Sequence, residues 1–298
     1  MAYLLAFCLA LCWGTVFLTT KNIVTALPPY WSTFYIVLAG LLFLTILYSL
    51  QRKSVRIAPR QLWRPWLIGL LLILLPFAAR SWGQRFIDPT VGSLINGTVP
   101  MWAFIAGAIL LKGTDRFTWR RAAGVLIGLG GLVAIIGPSS ITFGSGSYFF
   151  YGCLALLVMA WGYALGNVAT KKIMVDSSAA TLEANAFHQY LFSVITLLIL
   201  AALLEPAPAW SAFSGKVIAS IICAGVFSSA IAFLLLVALL KRWGATRTSA
   251  VSYFTPVVAM IGDFIATQRI PGGNELLGLA LIFLSLWLIQ KPVTASKK

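Results

Sequence analysis

Residues able to do chemistry are few in this chain and far apart. It has one histidine, His188, and seven acidic residues scattered singly along 298 positions. A general acid–base pair would have to be assembled over long range. There is no phosphate-binding glycine loop, no metal-spaced His/Cys set and no Gly-x-Ser-x-Gly elbow. Neither catalytic residues, metal ligands nor a cofactor are therefore expected, and an ATP-driven pump is excluded for this chain alone. What the sequence offers instead is ionisable and amide groups inside long apolar stretches, where such groups are functional candidates by default. His188 could carry a proton, since histidine titrates near neutral pH, or it could be hydrogen-bonded near a membrane edge. Asp263 and Arg80 both lie toward one side and could pair with each other, line a vestibule or contact a substrate. Asn96 and Asn167 could bridge helices, the commoner use of an intramembrane amide, or line a cavity.

Aromatic residues supply the other candidates. Trp13, Trp102 and Trp161 lie away from the apolar stretch ends where tryptophan usually anchors to an interface. With Tyr163 and Tyr253 they form a candidate cavity wall, packed core aromatics being the alternative. Pro100 and Pro256 sit within apolar stretches, and a proline inside a helix frees the carbonyl four residues earlier. For Pro100 that carbonyl belongs to Asn96, so a free carbonyl and an amide together could receive an ammonium group. Irregular backbone at membrane depth survives only where it is buried in protein or faces a cavity.

The elements that must position these residues are membrane helices. The chain is 60% hydrophobic and 10% charged, with mean hydropathy +0.93, whereas soluble domains are about 25% charged. With ~20 mainly apolar residues per span, the sequence reads as ten spans. They are Ala2–Thr20, Trp31–Leu50, Trp66–Arg85, Thr90–Leu111, Arg121–Ile136, Tyr148–Thr170, Leu182–Leu203, Val217–Leu240, Ser249–Thr267 and Glu275–Ile289. The net charge of +15 is not gathered on a soluble face, so nucleic acid is not an expected partner. Instead Arg52, Lys53, Arg56, Arg60, Arg64, Lys112, Arg116, Arg120, Arg121, Lys171, Lys172, Lys241, Arg242, Arg247, Lys291, Lys297 and Lys298 fall on alternate connections. The other side receives Lys21, Arg80, Arg85, Lys216 and Arg269. The positive-inside bias places both termini in the cytoplasm. Cys8, Cys12, Cys153 and Cys223 all fall inside apolar stretches and read as small packing residues. The N-terminus has no basic region or cleavage site of a signal peptide and reads as a retained first span.

Comparison of the halves shows an internal repeat. Trp13-Gly14 of the first span matches Trp161-Gly162 of the sixth, Pro100 of the fourth matches Pro256 of the ninth, and Gly124 of the fifth matches Gly278 of the tenth. Five spans per half is an odd number, so the second half must enter the membrane inverted. Two inverted repeats with interrupted spans in corresponding places are the pattern of many secondary transporters. Gly124 and Gly128 form a G-x-x-x-G step, continued by Gly130 and Gly131, which reads as close helix packing or as a hinge.

These features, with Leu27-Pro28-Pro29 before the second span and the glycine-rich fifth, resemble the drug/metabolite transporter superfamily. The likeness is to its ten-helix EamA-type carriers and covers the whole chain. It implies an all-α polytopic membrane protein, ten helices as two inverted five-helix repeats around a central cavity. Residues 1–138 would form the first repeat, 147–291 the second and 292–298 a cytoplasmic tail. There are departures. Many relatives carry an arginine in the second span near Phe34-Tyr35-Ile36, and end the fourth and ninth spans with Gly-Glu where this chain has Lys112-Gly113 and Thr267-Gln268. A less cationic, more aromatic cavity is implied, most similar to that of bacterial aromatic amino-acid exporters. The expectation is a monomeric carrier in a bacterial inner membrane, exporting amino acids by alternating access. Other small metabolites or drugs remain as cargo, and a membrane-embedded transferase is the remote alternative. Substrate would touch Trp13, Asn96, Trp102, Trp161, Tyr163, Asn167 and Tyr253. Pro100 and Pro256 would bend, and His188, Asp263 and Arg80 would serve an ion path or vestibule.

Overall fold

A computed structural model of the chain describes residues 2–110, 119–136, 148–174, 181–249, 251 and 254–290. Tyr253, Lys112, Gly113 and the tail 292–298 lie outside the described residues. The described chain is helical, and six of its helices are by themselves long and apolar enough to cross a membrane. Large apolar side chains such as Ile46, Ile109, Leu126, Ile199 and Leu203 stay exposed on the outer faces. Hydrocarbon is a solvent they tolerate, while the backbone's polar groups must be satisfied within the helices.

The spans follow the sequence expectation with shifted ends. The first is Ala2–Val24 and the second Pro29–Leu50. The third is built from Trp63–Gly69, a π-helical segment Leu70–Leu74, and Leu75–Gly83. The fourth is broken into Pro89–Asn96 and Val99–Leu110. Trp119–Ile136, Tyr148–Met174 and Leu182–Leu204 are the fifth, sixth and seventh. The eighth runs Gly215–Ile222, π-helical Cys223–Ile231 and Ala232–Ser249. Phe254–Thr267 and Gly273–Gln290 complete the set. Both the third span and its counterpart the eighth thus carry a π-helical stretch, a form that is rare and concentrated at functional sites.

The prolines act differently from the expected mid-helix kink. Pro100 is the second residue of Val99–Leu110 and Pro256 the third of Phe254–Thr267. In a first turn the missing N–H had no intrahelical partner to lose, so each proline begins a helix where it was expected to bend one. The break in the fourth span precedes Pro100, at Gly97 and Thr98. The ninth span is shorter than expected because Ser249 belongs to the helix before it.

Packing repeats in the two halves. The first span lies against the eighth as the sixth lies against the third, and the first meets the ninth as the sixth meets the fourth. The second packs on the seventh, and the fifth on the tenth. The last of these joints is closely packed through glycine. A Cβ on Gly124 would stand 3.0 Å from the Ser285 carbonyl, and one on Gly131 would stand 3.0 Å from the Gly278 carbonyl. Gly124 matches Gly278, and Gly131 matches Ser285 two turns further on in each helix. The two contacts therefore exchange under a two-fold rotation, as isologous contacts do. Gly128 faces Ser285 Oγ, whereas Gly130 has nothing within 4 Å. The G-x-x-x-G step serves close packing here.

Candidate functional site

Among the described residues, an island of polarity lies inside the bundle where the third, sixth, seventh and eighth spans meet. Arg80 is only 2% exposed. A helical side chain leans toward its own N-terminus, so the Arg80 guanidinium points away from the nearby membrane face and into the bundle. It lies over the Phe77 ring, 4.4 Å from the centroid, and shares a hydrogen bond with Tyr163 of the sixth span. Its Nε and Nη2 have no hydrogen-bond partner. Tyr190 of the seventh span lies within electrostatic reach of the guanidinium and hydrogen-bonds Ser229 in the π-helical stretch of the eighth. The Tyr190 ring lies against Gly40 of the second span, whose absent Cβ would be 2.6 Å from Cε1. Ser81 beside Arg80 accepts a 2.8 Å bond from Thr33.

A weaker counterpart joins the first span to the eighth. Thr15 Oγ1 lies 3.4 Å from Ser228 Oγ. Thr15 follows Trp13-Gly14 as Tyr163 follows Trp161-Gly162, so matching positions of the two repeats each place a polar group against a partner helix.

The expected site residues are distributed unevenly about this island. Tyr163 faces it, whereas Asn167, one turn further along the sixth span, is exposed. Trp161 does not face it. The exposed residues Tyr151, Leu154, Val158 and Trp161 recur at helical spacing and form the outward stripe of that span. Trp102 reaches across to this stripe, its ring 4.9 Å from that of Trp161. Its Nε1 donates to Thr98 Oγ1 at 3.0 Å, and Thr98 Oγ1 donates to the Ile95 carbonyl at 2.6 Å. The tryptophan is thereby tied to the break in its own span. Asn96 ends the helix before that break, and Pro100 has no N–H for its carbonyl. The break also meets the other half, since a Cβ on Gly97 would stand 3.7 Å from Pro256 Cγ. Trp13 packs apart from these residues, against the buried cluster that includes Ala232 and Leu239 of the eighth span.

The two ends of the bundle differ. On the side opposite the basic connections, Arg269 gathers three carboxylates. Its Nη2 is 2.6 Å from Glu275 Oε1, its Nε 3.2 Å from Asp88 Oδ2 and its Nη1 3.7 Å from Asp263 Oδ2. Thr90 donates to Asp263 Oδ2 at 2.7 Å. Asp263 therefore pairs with Arg269 and not with Arg80. Burial pulls the Arg269 guanidinium down, but the Glu275 hydrogen bond and the three negative charges outweigh it and raise its pKa above the ordinary value. Lys21 Nζ donates to the carbonyls of Gln84 at 2.8 Å and Ile87 at 2.9 Å on the same side. At the basic end, the second, seventh and eighth spans enclose a pocket of about 270 Å³ lined by Tyr48, Gln51, Glu183 and Val237. His188 sits nearby, its Nε2–H donating to the Val55 carbonyl at 3.0 Å. With the Lys53–Glu183 ion pair at 3.4 Å, it fastens the connection between the second and third spans.

This geometry has a known setting. The EamA-like transporter family model matches the chain twice, over residues 1–137 and 150–290. The chain belongs to the EamA-like transporter family. A Bacillus subtilis protein named "Uncharacterized transporter YoaV" is 22% identical over 93% of this chain and 92% of its own length. A Streptantibioticus cattleyicolor protein named "Probable terminal-alkyne amino-acid exporter" is 24% identical over 73% of this chain and 69% of its own. A solved crystal structure superposes with a TM-score of 0.66 at 23% identity, covering 96% of this chain and 95% of that one, which shows that the two share a fold. The chain is thus a multi-pass membrane transporter and not an enzyme.

The sequence singled out Arg80 and Tyr163 but did not join them, and it missed Tyr190, Ser228 and Ser229. The signal for the last two was a pair of adjacent hydroxyls, Ser228-Ser229, inside an apolar span.

Proposed function

We propose that this EamA-family chain is a secondary carrier that exports amino acids, aromatic ones included, from the cytoplasm of a bacterium across its inner membrane. The observation that carries the reading is the polar island of Arg80, Tyr163, Tyr190 and Ser229, flanked by aromatic surface and by two π-helical stretches. One cation among hydroxyl groups suits a zwitterion with a large apolar side chain, where a sugar phosphate would call for several basic groups. A relative named as an amino-acid exporter supports the cargo class. The inverted architecture supports alternating access, in which one repeat rocks against the other. The basic connections and both termini then face the cytoplasm.

The test is flux from proteoliposomes containing only this protein, loaded in turn with labelled tryptophan, phenylalanine, threonine and adenine. Saturable release of tryptophan and phenylalanine, lost in Tyr163→Ala, is the expected result. Release of adenine alone would replace the amino-acid reading with a purine one and leave the carrier assignment in place.

A further inference from the structure

A buried guanidinium with unused donors is costly to fold around, because each unpaired polar group forfeits its bonds to water. Arg80 is such a group, with Nε and Nη2 both unpartnered inside the bundle. None of the described carboxylates is available to it. Asp88, Asp263 and Glu275 are held by Arg269, Glu183 by Lys53, and Glu205 accepts the backbone N–H groups of Tyr30 and Trp31.

The two unpartnered nitrogens are not an arbitrary pair. Nε–H and the Nη2–H beside it project from one edge of the guanidinium plane, and this edge takes a carboxylate through two parallel N–H···O bonds. The Phe77 ring beneath and the bond to Tyr163 fix the orientation of that plane before any ligand arrives. We propose that Arg80 is the receptor for the carboxylate of the transported molecule, with Tyr163 as its positioning residue. The proposal rests on the transport reading above and narrows it: cargo must carry an acid group, and amines lacking one are excluded. The fork is sealed in this conformation, so rocking of the repeats must uncover it. The π-helical segment Leu70–Leu74, followed at once by Leu75 and Pro76, gives the third span a compliant place to do so.

The experiment uses the purified full-length protein in detergent, as wild type, Arg80→Gln, Arg80→Lys and Tyr163→Phe. Equilibrium binding is measured for tryptophan, indole-3-propionate, threonine, lactate and tryptamine, together with the thermal midpoint of each variant without ligand. Wild type should bind tryptophan and indole-3-propionate, and tryptamine at least about tenfold more weakly. Arg80→Gln should lose roughly 10- to 100-fold on the acids, the usual worth of a charged hydrogen bond, and nothing on tryptamine. Its ligand-free midpoint should hold or rise, since an uncompensated buried charge has been removed. Arg80→Lys, a point charge without the fork, should fall between. Tyr163→Phe, which keeps the cation, should lose roughly 2- to 10-fold.

If Arg80→Gln binds the acids as wild type does, or merely lowers the ligand-free midpoint, the Arg80 assignment falls and the transport reading stands. If indole-3-propionate binds and no amino acid does, the amino-acid reading falls and the Arg80 assignment stands. A wild type that binds none of the acids, or that prefers tryptamine, overturns both.

Discussion

Single side chains divide here by what they touch, and residue type alone did not foretell it. Asp263 and Arg80 are both buried charges, yet one is paired and the other is not. Asp263→Asn keeps the Thr90 hydrogen bond but gives up the attraction to Arg269, so transport of amino acids should persist. Stability should fall by about 1 kcal/mol, the upper range for an ion pair with a solvent-exposed partner, read as a lower thermal midpoint in detergent. Trp161 teaches a related lesson. The sequence marked it as deep and repeat-matched, but its face was hidden. In a soluble helix polar residues reveal the outward side. In the sixth span Leu154 and Val158 share Trp161's stripe and are no more polar than the buried Leu156 and Met159, so the pattern gave little contrast to read. Trp161→Ala should accordingly weaken cargo binding less than Tyr163→Ala, a comparison that equilibrium binding of tryptophan settles.

Among the elements, glycine marks the places where helix backbones meet. A Cβ added at Gly225 would run into the Ile36 carbonyl and stand 2.8 Å from Ala39 Cβ, forcing the second and eighth spans apart. Gly225→Ala should cost about 1–3 kcal/mol, as overpacking does. Gly130→Ala meets nothing within 4 Å and should gain about 0.5–1 kcal/mol through helix propensity. Thermal unfolding of the two variants side by side checks both signs. Ten apolar stretches and their order were legible because a span's length is imposed by the bilayer. The π-helical stretches and the true start of the ninth span were not. A π turn leaves no compositional mark in Leu70–Leu74, and Pro256 reads the same whether it kinks a helix or begins one. Only the neighbouring helices decide which.

For the molecule as a whole, the asymmetry lies at the ends. One end is tied by Arg269 and its three carboxylates, drawn from the start of the fourth span, the end of the ninth and the start of the tenth. The other opens into the pocket beside Tyr48 and Glu183. Asp88 belongs to the first half and Arg269 to the second, so the proposed rocking of one repeat against the other would break this ion pair. Arg269→Gln should therefore raise the labelling rate of a single cysteine placed at Ser93, buried just beneath the cluster, by an impermeant thiol reagent added from that side. An unchanged rate would show that the cluster only braces the connection.

The joint between the fifth and tenth spans differs from both ends in having no direction. Its contacts are the same seen from either membrane face, with Gly124 on Ser285 and Gly131 on Gly278 trading places. Five helices ending in such a surface can meet a second set of five without a designated partner, so the two halves made as separate chains should reassemble in the bilayer. What the joint cannot supply is a choice of which half stands upright. By the positive-inside bias that choice should fall to the lysines and arginines of the connections, and reversing their bias should invert the whole carrier without disturbing one contact in its core.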